Sequence, residues 1–296
     1  MIDGLVVLDK EAGWTSHDVV ARCRGIIGQR RVGHAGTLDP DATGVLLVGL
    51  GRATRLMRYL SGLPKHYLGE VILGVATSTL DASGEVTGRW EMSSVSLADM
   101  EEAAADLTGP ILQVPPMVSA IKVGGRRLHE LARAGIEVER EARPVVVHRL
   151  VVRPTGEPSR FGIDVKCSSG TYVRTLAADL GTALGGGAHL AALRRLSVGS
   201  FSVEESTTIE GLAADPAARV LSPAQAMRDL ASVPVDGELC GPISHGAVLD
   251  GTSLGVHANE AGPWALLDGA GSLLAVYERC GDGQGRVKPA VVLSAP

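Results

Sequence analysis

Aromatic residues are scarce in this 296-residue sequence, which contains two Phe, four Tyr and three Trp. One of them, Tyr67, lies in a segment whose apolar residues alternate at the period of a β-strand. Strand propensity alone would make Tyr67 a core residue. Because the chain has so few aromatic side chains, a functional role for this residue is kept as the alternative.

Cysteine is equally sparse, and the four cysteines are isolated from one another. No C-x-x-C pair occurs, and no two histidines stand four residues apart, so neither a zinc site nor a redox dithiol is indicated. The pattern predicts buried free thiols and no protein-bound metal. The cysteines are Cys23, Cys167, Cys240 and Cys280.

The sequence also lacks a long apolar run and a nucleotide-binding loop. Near the start, an acidic residue stands at position 3 and only a short apolar run precedes Asp9, which is unlike a signal peptide or a membrane span. The glycines 185–187 are not followed by Lys and Ser or Thr, so no Walker motif is present. We therefore expect a cytoplasmic protein with no membrane association and no nucleotide cofactor.

Charge is distributed unevenly along the chain. The formal net charge is −5 overall, but residues 204–296 carry −7, which leaves +2 for residues 1–203. Residues 22–58 contain seven Arg against two Asp, a local net charge of +5. A polyanion such as a nucleic acid can therefore dock on this segment, despite the acidic total.

The +5 segment encloses a glycine-rich stretch, GHAGTLDPDATG, from Gly33 to Gly44. Its glycines and Pro40 interrupt both helix and strand periods, which predicts a loop. An apolar run, Val45–Val48, fixes one end of this loop to ordered structure. Local pattern alone favours two ordinary turns here, because Asp39 before Pro40 is a common turn pair.

Periodicity and capping signals predict a mixture of helices and strands. Thr15 and Ser16 predict the start of a helix whose apolar face ends at Gly28, and Ser96 with Asp99 resembles a capping box for another helix. Further predictions are strands at Leu5–Leu8, Val45–Leu50, 67–75, Val145–Arg153 and Phe161–Cys167, helices at 53–60 and after an N-cap at Thr171, a loop, short helix and strand over 185–201, and a C-terminal β-hairpin at Asp268-Gly269 with a last strand.

Residues 114–144 have a different composition, rich in charge and in helix-breaking residues. Residues 117–135 contain four basic side chains and a single acidic one, a Glu. The pattern fits either an ordinary solvated hairpin and helix or a basic arm that moves over RNA. The second interpretation rests on the resemblance described next.

The sequence resembles the TruB family of tRNA pseudouridine synthases. The resemblance is carried by the Gly33–Gly44 loop, the KHY segment that ends at Tyr67, the GTY-x-RT segment around Arg174, the run Leu193–Leu196 and the insertion at 114–144. It covers about residues 4 to 201. The resemblance implies an α+β pseudouridine synthase core with a mixed, largely antiparallel sheet flanked by helices. It also implies a catalytic domain over 1–232 and a small PUA-like β-barrel over 233–296.

The same resemblance assigns roles to individual residues. It makes Asp39 the catalytic carboxylate, Arg174 its ion-pair partner and Tyr67 the residue that stacks on the target base. It places His34 in the gap left by the everted base and Leu193 near that base. Further predicted RNA contacts are Lys10, Lys122, Arg126, Arg127 and Tyr172.

The implied reaction isomerises the uridine at position 55 in the T-loop of tRNA. It needs no cofactor, because no group or redox equivalent is consumed. We expect a monomer that binds the T-arm stem-loop without a guide RNA. Whether Asp39 attacks the sugar or removes a C2′ proton is left open by the sequence.

Two other classes of function remain open. A non-catalytic tRNA-binding module would keep the basic arm and His34 but would not need Asp39. A nucleoside hydrolase would need a second carboxylate about 5 to 9.5 Å from the first. Asp41 is the nearby candidate in sequence, although its position before Ala42-Thr43-Gly44 is typical of a turn.

Overall fold

A computed structural model of the chain describes residues 2–119, 121–235, 237–257, 259–281 and 283–293, with only the backbone at position 129. The strands are β1 Gly4–Lys10, β2 Val32–Ala35, β3 Thr43–Leu50, β4 Lys65–Leu73, β5 Val75–Thr77, β6 Val86–Arg89, β7 Gly109–Gln113, β8 Lys122–Val123, β9 Arg126–Arg127, β10 Arg143–Pro154, β11 Arg160–Cys167, β12 Ala188–Val198, β13 Phe201–Ser202, β14 Ala231–Pro234, β15 Leu249–Asp250, β16 Trp264–Leu267, β17 Leu273–Arg279 and β18 Arg286–Val292.

The helices lie between these strands. They are α1 Ser16–Ile27, α2 Met57–Gly62, α3 Leu97–Asp106, α4 Leu128–Arg133, α5 Val173–Ala183, α6 Ile209–Ala214, α7 Pro223–Ala226 and α8 Gly237–Ser244, with short 3-10 helices at Gly51–Leu56, Val203–Glu205 and Gly251–Leu254.

The chain folds into two compact units. The first unit consists of Met1–Pro40, Val45–Ser61 and Gly199–Pro296, and the second consists of Asp41–Gly44 and Gly62–Val198. The chain passes from the first unit to the second within the predicted loop, directly after Pro40. The predicted domain boundary at residue 232 stays a prediction.

Helix α1 and strands β1 to β3 form one core of the first unit. The predicted helix start is confirmed, and Thr15 forms a capping box there: Thr15 accepts a hydrogen bond from the backbone N–H of Asp18, and Asp18 accepts one from the N–H of Thr15. Gly28 ends the helix in the left-handed conformation, at φ 69°. The apolar face of α1 packs with buried residues of the strands, including Val6, Leu8, Val32, Leu46 and Val48.

The C-terminal part of the first unit is an open five-stranded sheet in the order β14-β16-β17-β18-β15. The predicted hairpin is confirmed, since β16 pairs antiparallel with β17 and Asp268 accepts hydrogen bonds from the N–H groups of Ala270 and Ser272 in the connecting turn. The strand order is linear, so the described residues form a half-barrel and not the closed barrel that we expected. PUA-like identity stays a prediction.

The second unit is built on a sheet with the order β12-β4-β11-β10-β7, whose neighbouring strands are antiparallel. Thr43 and Gly44, at the start of β3, pair in parallel with Arg194 and Arg195 of β12. The predicted mixed, largely antiparallel sheet is therefore confirmed. Helix α5 packs against β12 and helix α3 packs against β10. The predicted capping box between Ser96 and Asp99 is confirmed.

Two predictions about local structure in this unit are wrong. Strand β12 runs without interruption from Ala188 to Val198, where a short helix and a strand were expected. It pairs along most of its length with β4, and this long-range pairing overrides the local helical pattern. Helix α5 has its N-cap at Tyr172, one residue beyond the predicted Thr171, whose hydroxyl donates to the backbone oxygen of Ser168.

Gly44 is required by the close approach of β3 to β12. Its φ is 101°, and a Cβ placed there would lie 2.1 Å from the backbone oxygen of Arg195. Any side chain would therefore force the two strands apart. The last glycine of the GHAGTLDPDATG stretch thus has a packing role.

The prediction of buried free thiols holds for two of the four cysteines. Cys23 and Cys167 are buried, and burial raises the pKa of each thiol to about 11, which keeps them protonated and unreactive. Cys240 and Cys280 are partly exposed, so the prediction of burial is wrong for them. Among the described residues, no helix has the length and apolarity needed to cross a membrane.

Candidate active site

The predicted catalytic loop is shorter than the glycine pattern indicated. Gly33 to Ala35 belong to strand β2, because they pair with residues of β3 that follow the loop. The irregular part extends from Gly36 to Ala42 and contains Asp39, which is half-buried. His34 therefore projects from a paired strand, opposite Val48. A hairpin-like arrangement of this kind fixes both ends of the irregular segment.

The segment beside Asp39 is hydrogen-bonded to the first turn of α1. The Oγ of Ser16 donates to the backbone oxygen of Leu38 at 3.1 Å and accepts from the N–H of Leu38 at 3.0 Å. Ser16 and Leu38 are both buried. The residue directly before Asp39 is therefore held by two hydrogen bonds that water does not reach.

Lys10 holds Pro40, the residue directly after Asp39. Its side chain is 2% exposed, and its Nζ donates at 2.8 Å to the backbone oxygens of Glu11, Trp14 and Pro40. The Pro40 oxygen also accepts from the N–H of Gly13. The structure gives Lys10 a bracing role that the sequence did not predict, and its contact with RNA stays a prediction.

His34 has an aromatic neighbour in the first turn of the same helix. The ring centroids of His17 and His34 lie 5.3 Å apart and the ring planes meet at 83°, an edge-to-face contact. His17 is exposed and His34 is half-buried. The first turn of α1 therefore contacts the predicted loop near both His34 and Asp39.

In the second unit, Tyr67 lies on the buried face of β4. Its side chain is 8% exposed, and it is opposite Val165 of β11 and Arg195 of β12. Arg195 is 1% exposed, and Lys65 lies two residues before Tyr67 on the same face. Burial and, to a smaller extent, the charge of nearby Arg195 together lower the pKa of Lys65 to about 8. The neighbours of Tyr67 on these strands therefore include the apolar Val165 and the basic Arg195 and Lys65.

Arg174 is buried in the first turn of helix α5. Its side chain is 4% exposed and donates to the backbone oxygens of Thr79 at 3.0 Å and Val118 at 2.8 Å. Its Nη1 is 3.4 Å from Oδ2 of Asp81. These contacts fix the guanidinium, and the predicted ion pair with Asp39 stays a prediction.

Asp81 is the residue of this site that sequence reasoning missed. Its Oδ1 accepts from the hydroxyls of Thr79 and Ser83 and from the N–H of Ser83. The surrounding TSTLDASGE segment is rich in turn-forming residues, which by themselves give no sign of an acidic partner for Arg174. Leu80, directly before it, has φ 63°, which only the surrounding contacts can maintain.

Two further predicted contacts lie in the same unit. Tyr172 is half-buried, and its backbone is held by the side chain of Gln113, which accepts from its N–H at 2.7 Å and donates to its oxygen at 3.2 Å. Leu193 is half-buried on β12, opposite Gly69 of β4. Their roles in RNA binding stay predictions.

The basic segment forms a small exposed hairpin followed by a helix. Lys122 pairs with Arg127 and Val123 pairs with Arg126, while Gly124 and Gly125 form the turn with positive φ. The three cations are exposed, and α4 follows directly. The solvated hairpin and helix are thus confirmed, whereas movement of this arm over RNA stays a prediction. Residue 120, within the predicted arm, lies outside the described residues.

Comparison with known proteins identifies the family. Residues 24–173 match the N-terminal domain of the TruB family pseudouridylate synthases. This match covers half of the chain and includes Asp39, Tyr67 and the arm. The chain belongs to the TruB family. Residues 174–229 match the tRNA pseudouridylate synthase B C-terminal domain.

Relatives of known name support the same family. The chain is 50% identical over 248 residues to the tRNA pseudouridine synthase B of Symbiobacterium thermophilum, covering 83% of this chain and 82% of the relative. It is 46% identical over 282 residues to the enzyme of the same name from Thermobifida fusca, covering 88% and 96%. As a member of the TruB family, the protein is a tRNA pseudouridine synthase, an isomerase that binds RNA.

Solved structures with the same fold extend the comparison to the C-terminal sheet. A Cbf5-Nop10-Gar1 complex contains a chain that aligns with a TM-score of 0.74 and 25% identity, covering 99% of this chain and 84% of the other. A structure of an H/ACA RNP bound to a substrate RNA containing 2'-deoxyuridine aligns with a TM-score of 0.71 and 24% identity, covering 98% and 83%. TruB family members and these proteins therefore share the pseudouridine synthase fold.

Proposed function

We propose that the protein isomerises the uridine at position 55 in the T-loop of tRNA. The observation that carries this proposal is the match to relatives named tRNA pseudouridine synthase B, which extends through the Asp39 loop. The protein acts as a monomer and binds the T-arm stem-loop directly, without a guide RNA. We place this activity in the cytoplasm.

The reaction breaks the C1′–N1 bond of the target nucleotide and joins C1′ to C5 of the same uracil. The proton that leaves C5 is balanced by the proton gained at N1, so the product is an isomer and no co-reactant is needed. Asp39 provides the carboxylate, either by attack at C1′ or by removal of the C2′ proton. The hydrogen bonds that hold Leu38 and Pro40 support this role, because a reacting group must be fixed within a fraction of an ångström.

Arg174 and Tyr67 complete the proposed catalytic set. Arg174 favours the ionised form of Asp39 and holds its orientation, and the contacts of its guanidinium with Thr79, Val118 and Asp81 support a fixed geometry. Tyr67 stacks on the detached uracil and handles the C5 proton, directly or through water. Its burial supports a site from which bulk water is excluded.

The target base must leave its stack to reach a carboxylate in such a site. Eversion costs on the order of a few kcal/mol. In this proposal the His34 ring fills the gap, since stacking of an aromatic group on a base contributes about 1–3 kcal/mol. Leu193 and Tyr172 line the base pocket, and Lys10 contacts the RNA. The exposed cations of the arm, Lys122, Arg126 and Arg127, bind the phosphate backbone.

The test is incubation of the purified protein, with no other RNA, with an unmodified T-arm stem-loop. We expect pseudouridine at the position equivalent to 55, mapped by chemical modification and primer extension, and a monomer by light scattering. Conversion at another position, or conversion that requires an added guide RNA, would contradict the proposal. Release of free uracil would favour the nucleoside hydrolase instead.

A further inference from the structure

We propose that His17 is a positioning residue for base eversion. Its imidazole lies edge-on against His34 and holds the His34 ring in the orientation that fills the gap left by the target base. This inference rests on the proposed function, because it deepens the role given there to His34. It concerns a residue outside the matched family domain, which begins at residue 24.

The geometry of the ring pair carries the inference. The centroid distance of 5.3 Å and the interplanar angle of 83° are those of an edge-to-face aromatic pair. In that arrangement the positive edge of one ring meets the negative face of the other, so rotation of either ring about its Cβ–Cγ bond weakens the contact. His17 therefore restricts the orientation of the His34 ring.

The position of His17 in its helix makes it a rigid support. It is the second residue of α1, directly inside the capping box that Thr15 and Asp18 form. The neighbouring Ser16 is buried and hydrogen-bonded to Leu38. One helical turn thus contacts the loop near Asp39 through Ser16 and near His34 through His17. Because the turn is a single rigid element, it also fixes the spacing between the two loop residues.

Exposure argues against a purely structural role for His17. The side chain is exposed, so its removal leaves no cavity, and Ala is a better helix former than His at this position. An effect of His17→Ala on catalysis would therefore not follow from loss of the fold.

The expected effect is set by the strength of an aromatic pair. A contact of about 0.5–1.5 kcal/mol corresponds to a factor of about 2 to 13 in rate or affinity. We expect His17→Ala to slow single-turnover pseudouridine formation in the T-arm stem-loop by about this factor. His17→Phe, which keeps a planar ring, should restore the rate to within about twofold. The matched control is His148→Ala, which removes an exposed imidazole from β10.

A double-mutant cycle tests whether the effect passes through His34. The variants are His17→Ala, His34→Ala and the double variant, each measured at saturating protein on the same stem-loop. If His17 acts by orienting His34, the double variant converts the substrate at the rate of His34→Ala alone. If the factor for His17→Ala persists in full on the His34→Ala background, the proposal is wrong. A His17→Ala rate equal to that of the His148→Ala control would also overturn it.

A second readout separates this inference from the proposed function. In the absence of RNA, the NMR signals of the His34 ring should shift in His17→Ala and stay unchanged in His148→Ala. Unchanged His34 signals in His17→Ala would contradict the ring contact, whatever the activity. If the signals shift but the wild-type protein forms no pseudouridine in the stem-loop, the proposed function has failed and the contact itself stands.

Discussion

The segment around Asp39 and the hairpin at 122–127 are both predicted to contact RNA, but they differ in burial and in the number of contacts that hold them. The Asp39 segment is short, half-buried, and braced by Ser16 and Lys10 through hydrogen bonds to Leu38 and Pro40. The hairpin consists of two strands of two residues each, and its cations are exposed. The segment predicted to carry the reacting carboxylate is thus firmly held, whereas the segment predicted to bind phosphates is only lightly held.

The difference reflects the distance dependence of the two tasks. A carboxylate that reacts with a sugar must be aligned to within a fraction of an ångström, and a small misplacement costs about 10²-fold in rate. A Lys or Arg that neutralises a phosphate acts through a charge whose effect extends over a Debye length of about 8–10 Å. A loose element can therefore perform the second task but not the first.

Replacing the carboxylate of Asp39 should cause the largest loss of activity. It is also the most direct test of the contrast between the Asp39 segment and the basic hairpin. We expect Asp39→Asn to reduce single-turnover pseudouridine formation by at least about 10³-fold, because the amide can neither attack the sugar nor accept a proton. The Kd for the stem-loop should change by less than about threefold, since the substitution keeps the shape of the side chain.

The matched control is Asp41→Asn, in the same loop but exposed. It should retain wild-type activity, and a large loss there would favour the two-carboxylate hydrolase. Full isomerase activity of Asp39→Asn would favour the non-catalytic binding module.

Removing the buried guanidinium should have the next largest effect. We expect Arg174→Ala to lower the rate of turnover by about 10²-fold, because Asp39 loses the group that aligns it. Its effect on Kd should be small, since one Arg adds little to a broad phosphate footprint. The measurements are single-turnover rates and Kd on the stem-loop, with Arg89→Ala, at an exposed position, as control. Equal losses in rate and affinity would argue against the ion-pair role.

Removing the hydrogen bonds between Ser16 and Leu38 should slow catalysis, although no reacting group is changed. Ser16→Ala removes two buried hydrogen bonds to Leu38, which costs about 1–3 kcal/mol. We expect a loss of about 10-fold in single-turnover rate and a lower denaturant midpoint. Ser61→Ala is the control, because it removes one hydrogen bond to Met57 within its own helix. An unchanged rate for Ser16→Ala would show that the loop does not depend on this anchor.

Neutralising the arm should give the smallest effect, confined to binding. We expect the combined Lys122→Gln, Arg126→Gln and Arg127→Gln variant to weaken binding about 5-fold at physiological salt and to reduce the slope of log Kd against log salt by about 2. The rate at saturating protein should stay within about twofold. The control neutralises three exposed cations elsewhere, Arg89, Lys166 and Arg219.

The two outcomes of the salt titration separate the arm from the general charge of the protein. A slope that stays unchanged in the arm variant would remove the arm hypothesis. An equal change of slope in the control variant would show that RNA binding depends on total charge. A large loss of rate at saturating protein would show that the arm, like the Asp39 segment, aligns reacting groups.

Much of the secondary structure follows from short-range signals. The start of α1 at Thr15, its end at Gly28 and the capping box at Ser96 were predicted because each depends on residues within one helical turn. The C-terminal hairpin was predicted for the same reason. By contrast, β12 was partly mistaken for a helix, because its conformation is decided by pairing with β4, more than 100 residues earlier in the chain.

Residue types and short spacings were enough to predict the family, the loop around Asp39 and the basic hairpin. The tertiary structure alone decided that Arg174 is buried beside Asp81, that Lys10 and Ser16 brace the residues flanking Asp39, and that His17 meets His34. Each of these contacts joins residues 17 to 93 positions apart, and only the folding of the backbone brings such residues together.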